Sequence, residues 1–98
     1  MRRGTTPTHT FVLAVDAAVV QKVRVIYSQN GKVVLTRDDA ELYGNTATVK
    51  LTQEETLQFT GGSRVEIQVR LLTVGGDALA SDIISVPVDR LLESEVFA

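Results

Sequence analysis

The sequence predicts a single all-β domain, a small antiparallel β-sandwich with one short helical turn. Apolar residues recur mostly with a period of two, as in strands, rather than with the period of about 3.6 that helices show. Turn-forming residues interrupt this alternation about every 8 to 12 residues, a spacing typical of sandwiches and small barrels. At 98 residues, the chain has room for one modest core and for no second domain.

Two strands are predicted before the first hairpin, over residues 8–15 and 21–28. The first alternates Phe11 and Leu13 with small or polar residues, so that one face is strongly apolar. The second has one apolar and one charged face, the pattern of a half-buried antiparallel strand. Its apolar face consists of Val23, Val25 and Tyr27. Between the two strands, Asp16 is expected to cap a single helical turn.

The dipeptide Asn30-Gly31 is a strong signal for a hairpin, because both residues tolerate the positive φ angles of a type I′ turn. Residues 32–37 would then return antiparallel to the second strand. A regular two-residue loop sets Arg24 directly opposite Arg37, and facing like charges are unfavourable. We therefore expect a β-bulge or a longer loop in this hairpin.

A further strand is predicted over residues 46–51, after a turn at Gly44-Asn45. Thr52 and Glu55 then show the spacing of a capping box, which predicts one or two helical turns over residues 53–59. The side chain expected to pack under the sheet edge is that of Leu57 or Phe59.

The clearest strand is predicted over residues 64–74. Gly75-Gly76 suggests a second tight hairpin into residues 77–88, with a bulge near Ser81-Asp82. Pro87 cannot donate to a ladder and is expected on an edge or at a strand end. The register of this hairpin places Ala80, Ile84 and Val86 on the same side as Leu71, Ile67 and Val65.

These elements predict one domain over residues 1–98, an immunoglobulin-like or similar sandwich. Its polar N-terminus (residues 1–7) is expected to be loose, and residues 89–98 form a candidate C-terminal arm. The arm is apolar enough to need a surface, either on its own domain or on a neighbouring subunit. Its candidate partner-docking residues are Leu91, Leu92, Val96 and Phe97.

Composition argues against several classes of function. The chain has no cysteine, which removes disulfides, thiolate nucleophiles and zinc fingers. Its net charge of −2 provides no broad attraction for polyanions, so we expect neither nucleic acid nor membrane as partner. We expect no cofactor and no metal site. The basic N-terminus has no apolar run behind it, so we expect the protein to be cytoplasmic when made.

No group of residues predicts catalysis. His9 is the only histidine and is interpreted as a strand-end residue. Asp38-Asp39 and Glu54-Glu55 are interpreted as turn and capping residues, because neither pair has the spacing of a cation loop or of an acid–base pair. The glycine pairs lack the Lys-Ser or Lys-Thr of a phosphate loop. The basic residues of the first half are interpreted as a solvated sheet face. They are Arg2, Arg3, Lys22, Arg24, Lys32 and Arg37.

Four segments, residues 2–11, 49–57, 65–70 and 78–84, together resemble short prophage proteins of gut Firmicutes. Those proteins are similar to the N-terminal β-sandwich domain of phage baseplate upper proteins, which anchor receptor-binding parts to the tail. The resemblance implies a non-enzymatic structural protein of a phage tail or baseplate. Its partners would be other phage structural proteins or further copies of itself in a homo-oligomer, and it would enter the virion if the prophage assembles.

A function of a different class stays open from the residues alone. The chain would then be a stand-alone adaptor or regulatory module that binds one protein. Oligomer size distinguishes the two hypotheses, because a virion part should form rings or higher assemblies, alone or with a neighbour, whereas an adaptor can stay monomeric.

Overall fold

The computed structural model describes residues 1–98 and contains two antiparallel sheets that share one core. The strands are β1 (Thr8–Val12), β2 (Val20–Gln29), β3 (Lys32–Arg37), β4 (Glu41–Tyr43), β5 (Thr46–Lys50), β6 (Arg64–Thr73), β7 (Ala78–Ala80) and β8 (Ile84–Pro87). One sheet has the order β1-β5-β4, and the other has the order β3-β2-β6-β7, with β8 also paired to β6. The predicted small all-β sandwich is confirmed.

The core is one cluster of 14 buried apolar residues drawn from both sheets and from the segment after β5. Alternate residues of β2 and β6 face inward, as the period of two predicted, and the charged residues between them face out. Gln29, Thr56 and Thr73 are the buried polar residues. Every buried polar side-chain atom has a hydrogen-bond partner, so no buried side chain carries an unpaired donor or acceptor.

The first hairpin turns at Asn30-Gly31, where φ is 52° and 78°, as predicted from the dipeptide. A bulge between Tyr27 and Ser28 shifts the register of β2 against β3. Arg37 therefore faces Val25 instead of Arg24, and the expected clash of like charges is avoided.

The first sheet differs from the prediction in two places. The strand predicted over residues 8–15 ends at Val12, which faces Thr46, the first residue of β5. Leu13 still donates its N–H to Asn45 O, but Asn45 belongs to the turn before β5, so the ladder has no further partner strand. In addition, β4 pairs with β5 although no strand was predicted there. Three residues are too few to show an alternation, so the partner strand alone defines β4.

The predicted register of the second hairpin is confirmed for β8 and is wrong for β7. Ile67 faces Ile84, and Val65 faces Val86, as predicted. Leu71, however, faces Leu79, so that Ala80 lies opposite Arg70.

The cause is the length of the loop between β6 and β7. Thr73 donates its N–H to Asp77 O at 2.9 Å, and Asp77 donates its N–H to Thr73 Oγ1, which closes a loop one residue longer than predicted. One extra residue changes the register by one and reverses the facing of each β7 side chain. The irregular residues 81–83 absorb the shift, near the predicted bulge. Pro87 ends β8, which pairs only with β6.

Both helical turns form with their predicted caps. Asp16 accepts from the N–H of Ala18 before a 3₁₀ turn at Ala17–Val19. Thr52 and Glu55 form the complete capping box of α1 (Gln53–Thr56). The helix is shorter than the predicted range of 53–59. Phe59, and not Leu57, is the fully buried residue after it, with its ring 5.8 Å from that of Tyr27.

The N-terminal residues, which we expected to be loose, hydrogen-bond to the end of the domain. The Met1 amino group donates to Pro87 O at 2.8 Å, and Asp89 donates its N–H to Met1 O at 2.7 Å. Arg2 and Asp89 form an isolated parallel bridge. The bonding groups are main-chain atoms almost ninety positions apart, so the polar composition of the segment carried no sign of them.

Candidate functional site

The C-terminal arm (residues 89–98) crosses the surface of its own domain beside α1. Leu91 is half-buried where it lies against Gly4, since a Cβ added to Gly4 would collide with its side chain. Further along, Phe97 donates its N–H to Gln53 Oε1 at 2.7 Å and accepts from Gln53 Nε2 at 2.9 Å. Gln53 thus holds the main chain of the arm by two hydrogen bonds.

The apolar side chains of the arm are mostly unpacked. Leu92 is 98% exposed, Phe97 is 82% exposed and Val96 is 40% exposed. Of the four predicted docking residues, only Leu91 is taken up by the domain itself. The other three are exposed to solvent, and of these only Phe97 has its main chain held by Gln53.

An open groove of about 710 Å³ lies at the end of the β2–β6 ladder where Lys22 faces Leu72. Strand β3 ends opposite Val25, so residues 20–24 of β2 have no strand neighbour on that side. Apolar side chains of both sheets line the groove, Leu42 and Leu71 among them. Its charged residues are Lys22, Arg24, Arg70 and Asp38.

We refer to this feature as the basic groove, because three cations face one carboxylate. Arg24 pairs with Asp38 through Nε and Nη2, at 2.7 and 3.3 Å. The hydrogen bond lowers the pKa of Asp38 and raises the pKa of Arg24, so both stay charged at neutral pH. Arg70 lies directly opposite Arg24 in β6, and neither Arg70 nor Lys22 forms an ion pair.

The six basic residues predicted to share a solvated sheet face therefore lie in different parts of the structure. Arg3 donates to the carbonyls of Leu57 and Phe59 and so supports the turn after α1. Arg37 pairs with Asp39 and with Glu55, and the hydrogen bond from Arg37 lowers the pKa of Asp39.

Arg37 also donates to Lys50 O, at 3.0 Å, and in this way bridges the two sheets. Only Lys22 and Arg24 of the set reach the basic groove. Arg70 completes it from the neighbouring strand. Sequence reasoning missed this residue because it depends on the pairing of β2 with β6.

A second, smaller groove of about 180 Å³ separates β1 from the β7–β8 edge. Nine of its eleven lining residues are hydrophobic, and none is charged. Part of its wall is exposed, at Val12 and Ile84.

His9 belongs to a polar cluster at the other end of the sandwich. Its Nδ1 lies 2.7 Å from the hydroxyl oxygen of Tyr27, its only side-chain hydrogen-bond partner. Burial raises the pKa of Tyr27, and burial together with the N-terminal ammonium lowers the pKa of His9. At neutral pH both groups are uncharged, and the pair packs against Phe11 and Phe59. This geometry agrees with the interpretation of His9 as a structural strand residue.

No cluster of three or more histidine or acidic side chains has the geometry to hold a metal ion. None of the helices has the length and apolarity that crossing a membrane requires. Comparisons with protein-family profiles, with curated proteins and with solved structures found no match to this chain.

Proposed function

We propose that this chain is a non-enzymatic structural protein of a phage tail or baseplate that acts through protein–protein assembly. The resemblance of four segments to short prophage proteins supports the phage context. In this proposal the protein is made in the cytoplasm and enters the virion with its partners, which are other phage structural proteins or further copies of itself.

The observation that carries the assembly function is the exposed apolar arm. Leu92 is 98% exposed and Phe97 is 82% exposed, although Gln53 holds the main chain of Phe97 by two hydrogen bonds. Scattered exposed apolar residues are normal on a protein surface, but Leu92, Val96 and Phe97 lie on one short segment, and grouped exposed apolar residues favour a contact site. Fixing the main chain in advance lowers the entropy that binding has to overcome.

The test is to induce the prophage in the strain that encodes the chain and to purify released particles on a density gradient. We expect quantitative mass spectrometry to find the chain in the particle fraction, in a constant ratio to the tail proteins. An abundant host cytoplasmic protein serves as control for carry-over. If the chain follows that control into the soluble fraction, the proposed function is wrong, and the adaptor alternative takes its place.

A further inference from the structure

The basic groove and the C-terminal arm are complementary in charge and apolar character, but they do not contact each other within one chain. The basic groove has a net charge of +2 over an apolar lining. Residues 91–98 of the arm carry Glu93 and Glu95, no cation, and the exposed side chains of Leu92, Val96 and Phe97. Neither glutamate forms an ion pair.

Two cations of the basic groove, Arg70 and Lys22, have no carboxylate partner. Arg24 and Arg70 face each other across the β2–β6 ladder, an arrangement that is unfavourable for like charges. Asp38 neutralises Arg24 only. An acidic segment laid beside Arg70 and Lys22 would remove this repulsion.

The groove also lacks a strand. Because β3 stops opposite Val25, the edge of β2 at residues 20–24 is open. An extended segment is the occupant that such an edge accepts, with main-chain bonds providing affinity and side-chain pockets providing specificity. Glu93 and Glu95 lie between the apolar pairs Leu91-Leu92 and Val96-Phe97, so the arm offers both carboxylates and apolar side chains to a lining of cations and apolar side chains.

The arm is bound elsewhere in its own chain. Its contacts within the chain are with Met1, Arg2, Arg3, Gly4, Gln53 and Gly61, none of which lines the basic groove. In this position the side chains of Leu92 and Phe97 are exposed, so that a second molecule can cover them.

We propose that the arm of one copy docks in the basic groove of the next, with Glu93 and Glu95 beside Arg70 and Lys22 and with Leu92 against the apolar lining. The inference rests on the proposed function, because it specifies how copies assemble. Groove and arm are different surfaces, so the contact is heterologous and builds either a closed ring or an open filament.

The first test is a charge exchange, read by sedimentation velocity of the full chain over a range of concentrations. We expect the wild-type protein to associate and Arg70→Glu to weaken association about tenfold or more. The double variant Glu93→Arg/Glu95→Arg should weaken it similarly, and combining all three changes should restore part of the loss. Lys32→Glu is the matched control, because it makes the same charge change in β3 outside the groove.

The second test uses the absence of native cysteines. A protein carrying Leu92→Cys is mixed with one carrying Ala40→Cys, a groove residue on the side of the open β2 edge, under mild oxidation. We expect a mixed disulfide dimer to form at least about tenfold faster than with Val33→Cys, an exposed residue of β3.

Three results would overturn the inference. The first is a monomer at every concentration. The second is an equal effect of Arg70→Glu and Lys32→Glu, without rescue by the charge exchange. The third is an intramolecular disulfide formed readily when one chain carries both cysteines. Detection of the chain in virions together with any of these results would leave the proposed function standing and remove only this mode of assembly.

Discussion

The two ends of the β2–β6 ladder have the same alternating sequence and opposite surroundings. At the end that contains Tyr27 and Ile67, the segment after β5 closes the sandwich, with Phe59 packed on Tyr27 and Gln29 bonded to Thr60. At the end where Lys22 faces Leu72, the inward-facing Val23 and Leu71 are also buried, but no such segment closes this end, and the basic groove opens. Period-two alternation therefore specifies which side of a strand faces inward, but whether an end of the ladder is closed depends on a distant segment.

Replacing an aromatic residue of the covered end should lower the free energy of unfolding much more than replacing an apolar residue of the open end. Phe59→Ala should lower the free energy of unfolding by about 3 to 5 kcal/mol, because it leaves a cavity beside Tyr27. Leu72→Ala, at a half-buried site in the groove, should cost about 1 kcal/mol. Urea unfolding measures both changes. Similar losses at the two positions would show that the ends are packed alike.

Two isoleucines that face each other in neighbouring strands give a second comparison between a buried and an exposed position. Ile67 and Ile84 face each other in β6 and β8, yet Ile67 is 2% exposed and Ile84 is 42% exposed. Ile67→Ala should cost about 2 to 5 kcal/mol, whereas Ile84→Ala should cost about 1 kcal/mol or less. Because the two residues are of the same type and face each other, the difference between the two losses, measured by chemical denaturation, reports the effect of burial. A larger loss at Ile84 would mean that another surface covers the β8 edge.

Variants of the capping box test how much the segment after β5, which carries Phe59, contributes to the free energy of unfolding. Thr52→Ala removes the acceptor for Glu55 N–H and should cost about 1 kcal/mol. Gln58→Ala, at an exposed position of the same segment whose side chain makes no hydrogen bond, should stay within about 0.5 kcal/mol. Thermal and urea unfolding should rank the two variants in this order. Equal losses would assign the stability of the segment to Phe59 and the arm instead of to the cap.

The smallest effect expected is a dependence on pH at the covered end. The folded-state pKa of His9 lies below the ordinary value of 6.5, so the unfolded chain binds more protons in the window between them. The free energy of unfolding should therefore decrease as the pH falls below about 6.5 and stop changing, for this group, below the folded-state pKa.

His9→Phe keeps an aromatic ring at this position and removes the titration. Its stability should show a smaller slope between pH 5 and 7, a window given by the ordinary pKa values of histidine and carboxylates. An unchanged slope would assign the dependence to other groups, since Asp38 and Asp39, with lowered pKa values, titrate at more acidic pH.

Local chemistry accounts for the parts of the fold that could be predicted. The Asn30-Gly31 turn, the Asp16 cap and the Thr52–Glu55 box each depend on residues within a few positions of one another. The expected bulge followed from a single pair of like charges, Arg24 and Arg37. The facing of β2 and β6 followed from alternation alone.

The parts that could not be predicted depend on partners far away in the chain. Strand β4 exists because β5 pairs with it, and the facing of β7 depends on one extra residue in the loop closed by Thr73 and Asp77. The binding of the N-terminus to residues 87–89 rests on main-chain groups that every sequence has.

The candidate site shows the same division. That the arm is apolar and acidic, and that Leu91, Leu92, Val96 and Phe97 need a surface, can be read from the residues alone. The three-dimensional packing was needed to show that Leu91 lies against Gly4 of its own chain, that Leu92 and Phe97 are exposed, and that Arg70 joins Lys22 and Arg24 in one groove. The physical reason is that amphipathic character is a property of neighbouring residues, whereas exposure and charge clustering are set by strand pairing and by contacts between segments distant in sequence.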